Sequence, residues 1–199
     1  MSMILCLKRI SDGDVERLRA TSSGVRAFID ADVPEPDYGP EYAAARAALL
    51  KQMAAAGMGR PARTEIAFDS YPFNDIFDID KMWHGVYFLL TGTEYGGEPP
   101  VNLLFQAPPV GNEDIGYGPA LAISADQTKA LSDHPAGLQK TAVLARFDSA
   151  RMKALKIYPD IWDEDPAQLK EELGNAFDAL RAYCRRCADH GLGMLSYVS

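Results

Sequence analysis

Hydrophobic positions along the chain follow three distinct patterns. Met3 to Ile10 contains an unbroken apolar run, Ile4-Leu5-Cys6-Leu7, which predicts a strand covered on both faces. From Asp78 to Thr93, Ile79, Met82, Trp83, Val86, Leu89 and Leu90 recur at three- and four-residue steps, and Tyr87 and Phe88 fill most of the remaining positions. That spacing predicts one helix, apolar on nearly all sides and so buried on nearly all sides. From Pro166 to His190, Leu169, Leu173, Ala176, Phe177, Leu180, Tyr183, Cys184 and Cys187 form a single stripe, the mark of a long helix with one face in the core.

Polar and conformationally special residues punctuate these patterns. Asp78 is placed to cap the central helix, Asp80 falls in its first turn, and Gly92 suits the left-handed residue that ends it. Gly85, in mid-helix, costs about 1 kcal/mol against alanine, which suggests that another element crosses closely there. Ser11, Ser124 and Asp148 each precede a short helical pattern as N-caps, with Asp14 completing a weaker capping box after Ser11. Val25 to Ile29 and Val101 to Phe105 read as further helical turns, Asp133-His134-Pro135 as a helix break, and Leu138 to Leu144 as a short segment. Pro166 fits the first position of the long helix and Gly191 its end. Ala120 to Ile123 and Leu192 to Val198 read as strands, and Glu65 to Phe77 as an irregular lead into the central helix. Asp32 to Pro40 is a proline-rich loop, Glu41 to Ala56 an alanine-rich helix, and Gly57 to Pro61 its stop. Residues 34–64 therefore read as a peripheral insertion.

These elements assemble as an α+β fold in a single domain spanning 1–199. A small mixed sheet packs against the buried central helix and the long C-terminal helix. The length of 199 residues suits one such core.

Charge narrows the function. Twenty basic against twenty-eight acidic side chains leave a formal net charge of -8, opposite to the footprint of a nucleic-acid binder; it permits steering toward a basic protein partner, and its plainer reading is the ordinary negative charge of a soluble protein. Three cysteines do not build a disulfide framework. No apolar run reaches membrane-spanning length, and the first residues run apolar then basic, the reverse of a signal peptide. The expectation is a cytoplasmic protein without membrane association, and the sequence names no oligomeric state.

Candidate chemistry is sparse. Asp80 and His84, four residues apart, would share a helix face and could work as an orienting acid and a general base; the plainer reading is an ordinary pair beside a core helix. The glycine- and proline-rich stretch from Gly92 to Gly118 reads as a functional loop or as a wrap over the core, with Asn102, Gln106, Asn112, Glu113 and Asp114 as its polar groups. Lys81, Trp83, Asn102, Gln106, Tyr158 and Trp162 are the candidate binding residues, although Trp83 fits a core role better. Asp163 to Asp165 reads as a solvated helix start rather than a cation site. Cys184-x-x-Cys187 lies at the wrong end of its helix for redox chemistry, and a zinc site would need two further ligands, for which only Cys6 and His190 are suggestive; buried helix-face cysteines are the plainer reading. No phosphate-loop, dinucleotide or hydrolase motif occurs, so neither metal nor cofactor is expected.

Three stretches together, M-S-M-I-L at the start, D-I-D-K-M-W…Y-F-L-L-T-G in the middle and L-K-I-Y-P-D-I-W before the long helix, resemble the YfbM-like family of small bacterial proteins of unknown function. The similarity runs from Met1 to Ser199 and is weakest over 34–64, where this chain is longer. The resemblance implies an α+β single domain and no activity. Asp78, Asp80, Lys81, Trp83, Thr91 and Gly92 match the central motif and inherit no catalytic role from it.

Two functions remain in view. One is a non-catalytic protein-binding or regulatory module, antitoxin- or immunity-like, that engages a basic partner. The other is a hydrolase-like or small-ligand enzyme using the Asp80/His84 face and the 92–118 loop. A concave pocket in which loop polar groups converge on Asp80 and His84 would favour the enzyme, and a packed-away histidine would count against it; an exposed acidic or apolar patch elsewhere would favour binding.

Overall fold

Strand β1 (Leu5–Ile10) is buried at all six positions, as an apolar run covered on both faces requires. Its side chains alternate between two cores. Leu5 and Leu7 point to the larger one, and Cys6 and Ile10 to a smaller one. The computed structural model describes residues 3–21, 24–31, 48, 51, 52, 55, 67–73, 75–136 and 138–199. The expected insertion at 34–64, with its alanine-rich helix and following glycines, lies almost wholly outside these residues.

After β1 come helices α1 (Asp12–Arg19) and α2 (Val25–Asp30), then strand β2 (Phe77–Asp78) and a 3₁₀ turn at Asp80–Met82. Helices α3 (Trp83–Thr91) and α4 (Leu103–Gln106) follow, then strand β3 (Leu121–Ile123). The chain ends with α5 (Ala125–Ala136), α6 (Lys140–Leu144), α7 (Ser149–Ala154), α8 (Pro166–Asp189) and strand β4 (Gly193–Val198). The sheet order is β2-β1-β4-β3, with every pairing antiparallel. The α+β class holds, whereas the expected mixture of strand directions does not. The fourth strand, β2, arises where an irregular lead was expected, because Asp78 and Phe77 pair with Cys6 and Leu7.

That pairing also shortens the central helix. Asp78 belongs to the sheet, and Asp80 sits at φ +46° in the left-handed region, which interrupts helical backbone. The α-helix therefore begins at Trp83. The Asp78 carboxylate accepts from the Asp80 N–H at 3.1 Å and so caps the 3₁₀ turn instead of the helix. At the far end Gly92 takes φ +74° as expected. The carbonyls freed there are met by cations: Arg146 donates to Leu89 and Leu90, and Arg151 to Gly92.

Gly85 is tightly enclosed. A Cβ at this position would stand 2.6 Å from the Trp162 ring and 2.7 Å from Leu173 of α8. The close crossing expected from the sequence is thus the passage of α3 under Trp162 and α8. Ser124 and Gln127 form a reciprocal capping box at the start of α5, and Asp148 and Asp165 cap α7 and α8. Helix α5 runs past Asp133 and His134 to Ala136, so the break expected at Asp133-His134-Pro135 does not fall there.

Two buried cations in β1 had no sequence signal. Lys8 donates to the Phe28 and Ile29 carbonyls at 2.8 and 2.7 Å, closing the C-terminal end of α2. Arg9 donates to the Phe73 carbonyl and lies over the Tyr71 ring. Such bonds are what make a buried cation tolerable. Asp14 is also buried. It does not reach back to Ser11; its carboxylate receives Arg17, the Asp69 N–H and the Tyr71 hydroxyl. Burial, reinforced by the Asp14 carboxylate, pushes the Tyr71 hydroxyl up to about 12. This cluster ties residues 69–73 to α1.

Candidate functional site: an acid-rimmed groove

Helix α8 buries one stripe in the core. Beside it runs a second, shorter stripe, Glu172, Asn175, Ala176 and Ala179, at helical spacing. The chain from Asp78 to Met82 and the turn at Pro159 and Ile161 face that stripe across a groove of about 560 Å³. Met82, Ile79, Pro159, Ile161, Ala176 and Ala179 give it an apolar floor. Its charged groups are Asp78, Asp80, Glu172 and Lys81, three carboxylates against one ammonium. Among the described residues none of these four charges is in an ion pair. The left-handed backbone at Asp80 turns that residue to the surface while Ile79 beside it is buried.

Of the residues singled out in the sequence, Lys81 and Asp80 line the groove. His84 lies elsewhere. It is 1% exposed, and both ring nitrogens are engaged by backbone: Nδ1 accepts from the Tyr158 N–H and Nε2 donates to the Glu94 carbonyl, each at 2.9 Å. The bond at Nδ1 fixes the proton on Nε2. Burial lowers the His84 pKa, opposed by the hydrogen bond to the Glu94 carbonyl and by the Glu94 charge. No hydrogen bond or ion pair joins His84 to Asp80, because the 3₁₀ turn between them breaks the helical spacing on which the pair depends.

The other candidates serve the core or each other. Trp83 is buried, stacks on His84 with ring centres 4.8 Å apart, and donates to the Met3 carbonyl. Trp162 is wholly buried and donates to the Ile157 carbonyl. Tyr158 is half-buried, and its hydroxyl accepts from the Met3 N–H. Asn102, the residue before α4, donates to Gln106 at the helix's last position. In the 92–118 loop, Glu113 caps α2 through the Gly24 and Arg26 N–H groups, and Asp114 accepts from Gly116 and Gly118. Among the described contacts these polar groups hold structure together and do not converge on His84. The sequence missed Met82, Pro159, Ile161, Glu172, Asn175 and Ala179 as groove residues. The signal for the α8 wall was present: small and polar residues one step around the helix from the buried stripe.

The cysteines are inert. All three are free and buried. Burial pushes the Cys184 and Cys187 thiols up, the latter to about 12, so neither offers a thiolate. Among the described residues no group of three or more His, Cys, Asp or Glu could hold a metal ion. Lys153 pairs with Asp163 at 2.6 Å, which leaves the 163–165 run as the helix start it resembled. No helix among the described residues is long and apolar enough to cross a membrane.

Comparison with known proteins supports the architecture and leaves the groove unassigned. No curated protein matches the chain. The crystal structure of YfbM from Escherichia coli, described as a protein of unknown function, is similar over 98% of this chain and 99% of its own, with a TM-score of 0.60 at 15% identity; at that identity the likeness concerns the fold. The family described as a domain of unknown function, DUF1877, matches residues 1–197, and the chain belongs to that family.

Proposed function

We propose that this domain is a non-catalytic binding module whose groove, between Asp78–Met82, Pro159–Ile161 and α8, takes a basic polypeptide segment with an apolar anchor. The observation that carries the reading is the pairing of an apolar floor with three carboxylates against one lysine, none of them in an ion pair among the described residues. An apolar side chain seated on Ala176 and Ala179 gains burial. Flanking lysines or arginines meet Asp78, Asp80 and Glu172 at the rim, where such charges speed encounter and set specificity. The net charge of -8 adds long-range attraction of the same sign.

The same geometry disfavours catalysis by the Asp80/His84 pair. A general base needs a free nitrogen or oxygen within reach of a substrate proton, and both His84 nitrogens face backbone inside the protein. Asp80 sits at the groove rim with no hydrogen bond or ion pair to His84.

The test compares wild type with Ala179→Trp, which fills the groove, and with Asp80→Lys/Glu172→Lys, which reverses its charge. A partner captured from the native cell should carry a basic segment, leave both variants and weaken with added salt. A partner retained by both variants, or one bound equally at low and high salt, contradicts the reading.

A further inference from the structure

His84 links three parts of the chain. It sits on α3, its Nε2–H holds the Glu94 carbonyl, and its Nδ1 holds the N–H of Tyr158, the residue before the groove-lining Pro159. One turn along α3, the Tyr87 hydroxyl donates to the Gly96 carbonyl. Two side chains of one helix thus strap residues 94–96 to the core, and one of them also holds the lip of the groove.

We propose that His84 is an acid-sensitive pin: its neutral ring locks the 94–96 strap and the Tyr158–Pro159 lip together, and protonation releases the lip. The reason is the hydrogen-bond inventory. A neutral imidazole has one donor and one acceptor, and here both are used. A protonated imidazole has two donors. Its new Nδ1–H would point at the Tyr158 N–H, donor against donor, in a buried place, so proton uptake requires that bond to open. The stacked Trp83 ring and the tilted Tyr95 ring flank the imidazole. Its titratable neighbours are Tyr87 on α3, Glu94 and Tyr95 on the strap, and Tyr158 on the lip. Asp80 precedes it on the chain without contact. Among these the Glu94 carboxylate is the charge acting on the ring, and it favours the proton; burial disfavours it more strongly. The released state therefore belongs to the acid side of 6.5, the ordinary histidine value. The consequence for ligand binding at Pro159 rests on the groove reading above; the pin itself does not.

Amide hydrogen exchange on the full chain tests this. After correction for intrinsic exchange, the peptide covering 155–161 should keep its protection at about pH 7.5. Below 6.5 it should lose protection by a factor approaching about tenfold per pH unit, since opening is then coupled to uptake of one proton, while the 94–96 strap, whose bond from the His84 Nε2–H survives protonation, should not open with it. His84→Gln retains an acceptor for Tyr158 and a donor for Glu94 and cannot take up the proton, so its protection should stay flat. Flat protection in wild type, or equal loss in the variant, overturns the proposal. Should His84→Gln not fold, ring ¹⁵N shifts of wild type decide: the neutral ring should carry its proton on Nε2, and the Tyr158 amide should shift as the ring titrates. A ring that titrates while that amide stays unmoved overturns it. Binding of a lysine-flanked leucine peptide at about pH 7.5 is measured separately. Its absence would remove the groove reading and leave the exchange result standing.

Discussion

The two sides of the Ile79–Trp83 stretch are built to opposite specifications. Inward, Trp83, His84 and Gly85 meet Trp162, Leu173 and the Tyr158 backbone, with ring-to-ring stacking, both ring nitrogens of His84 bonded and no room for one extra carbon at Gly85. Outward, a few residues away, Asp80 and Lys81 are exposed beside small alanines, and their charges have no ion-pair partner among the described residues. Both sides share Pro159–Trp162 as their opposite wall. A core answers to packing, where each methylene is felt. The groove has open volume and charges without an ion-pair partner among the described residues. Surface that is shaped and charged beyond what packing requires is where binding is most plainly to be sought.

The contrast is broken most severely from inside. Trp162→Ala should destabilise the protein by about 3–5 kcal/mol, read as a fall in the denaturant midpoint; a change under about 1 kcal/mol would show that Trp162 does not bear on α3. Gly85→Ala comes next. Alanine favours a helix over glycine by about 1 kcal/mol, so an ordinary site would gain stability. Overpacking against Trp162 and Leu173 should instead give a net loss of about 1–3 kcal/mol, and a gain in midpoint would refute the close crossing.

A smaller effect divides the two sides by pH. His84 is held neutral in the fold, with its pKa lowered by burial. The unfolded chain therefore takes up the proton first as pH falls, so stability is present above 6.5 and is lost as pH drops through the folded value. Relative to His84→Gln, wild type should lose midpoint on the acid side of 6.5; parallel curves would contradict this. Smallest of all is the groove itself. Asp80→Lys/Glu172→Lys should leave stability within about 0.5 kcal/mol while abolishing binding. A cooperative loss of fold there would mean that the rim serves the core after all.

The inward side was legible in the sequence and the outward side was not. Apolar periodicity marks burial, so the strand at Leu5, the helix at Val86 and the stripe on α8 could be read directly. The glycine at position 85, costly in a helix, announced a close neighbour without naming Trp162. Local spacing misled at Asp80, because the distance from Asp80 to His84 is helical only if the helix is continuous. The pairing of Asp78 with Cys6, a contact across seventy residues, moves the helix start to Trp83. The groove's walls come from three separate stretches, and their side chains, Pro159, Glu172, Asn175 and Ala179, are ordinary in isolation. The burial of Lys8 and Arg9 likewise depends on carbonyls at Phe28 and Phe73 that no local pattern reveals.

The most direct measurement is a two-dimensional amide NMR titration of the full chain with a short peptide carrying lysines on both sides of a leucine, at low salt. A binding groove predicts shifts confined to residues 78–82, 159–161 and 172–179, saturating with peptide and absent in Asp80→Lys/Glu172→Lys. Shifts spread over the acidic surface without saturation, or centred on residues outside the groove, would contradict the account.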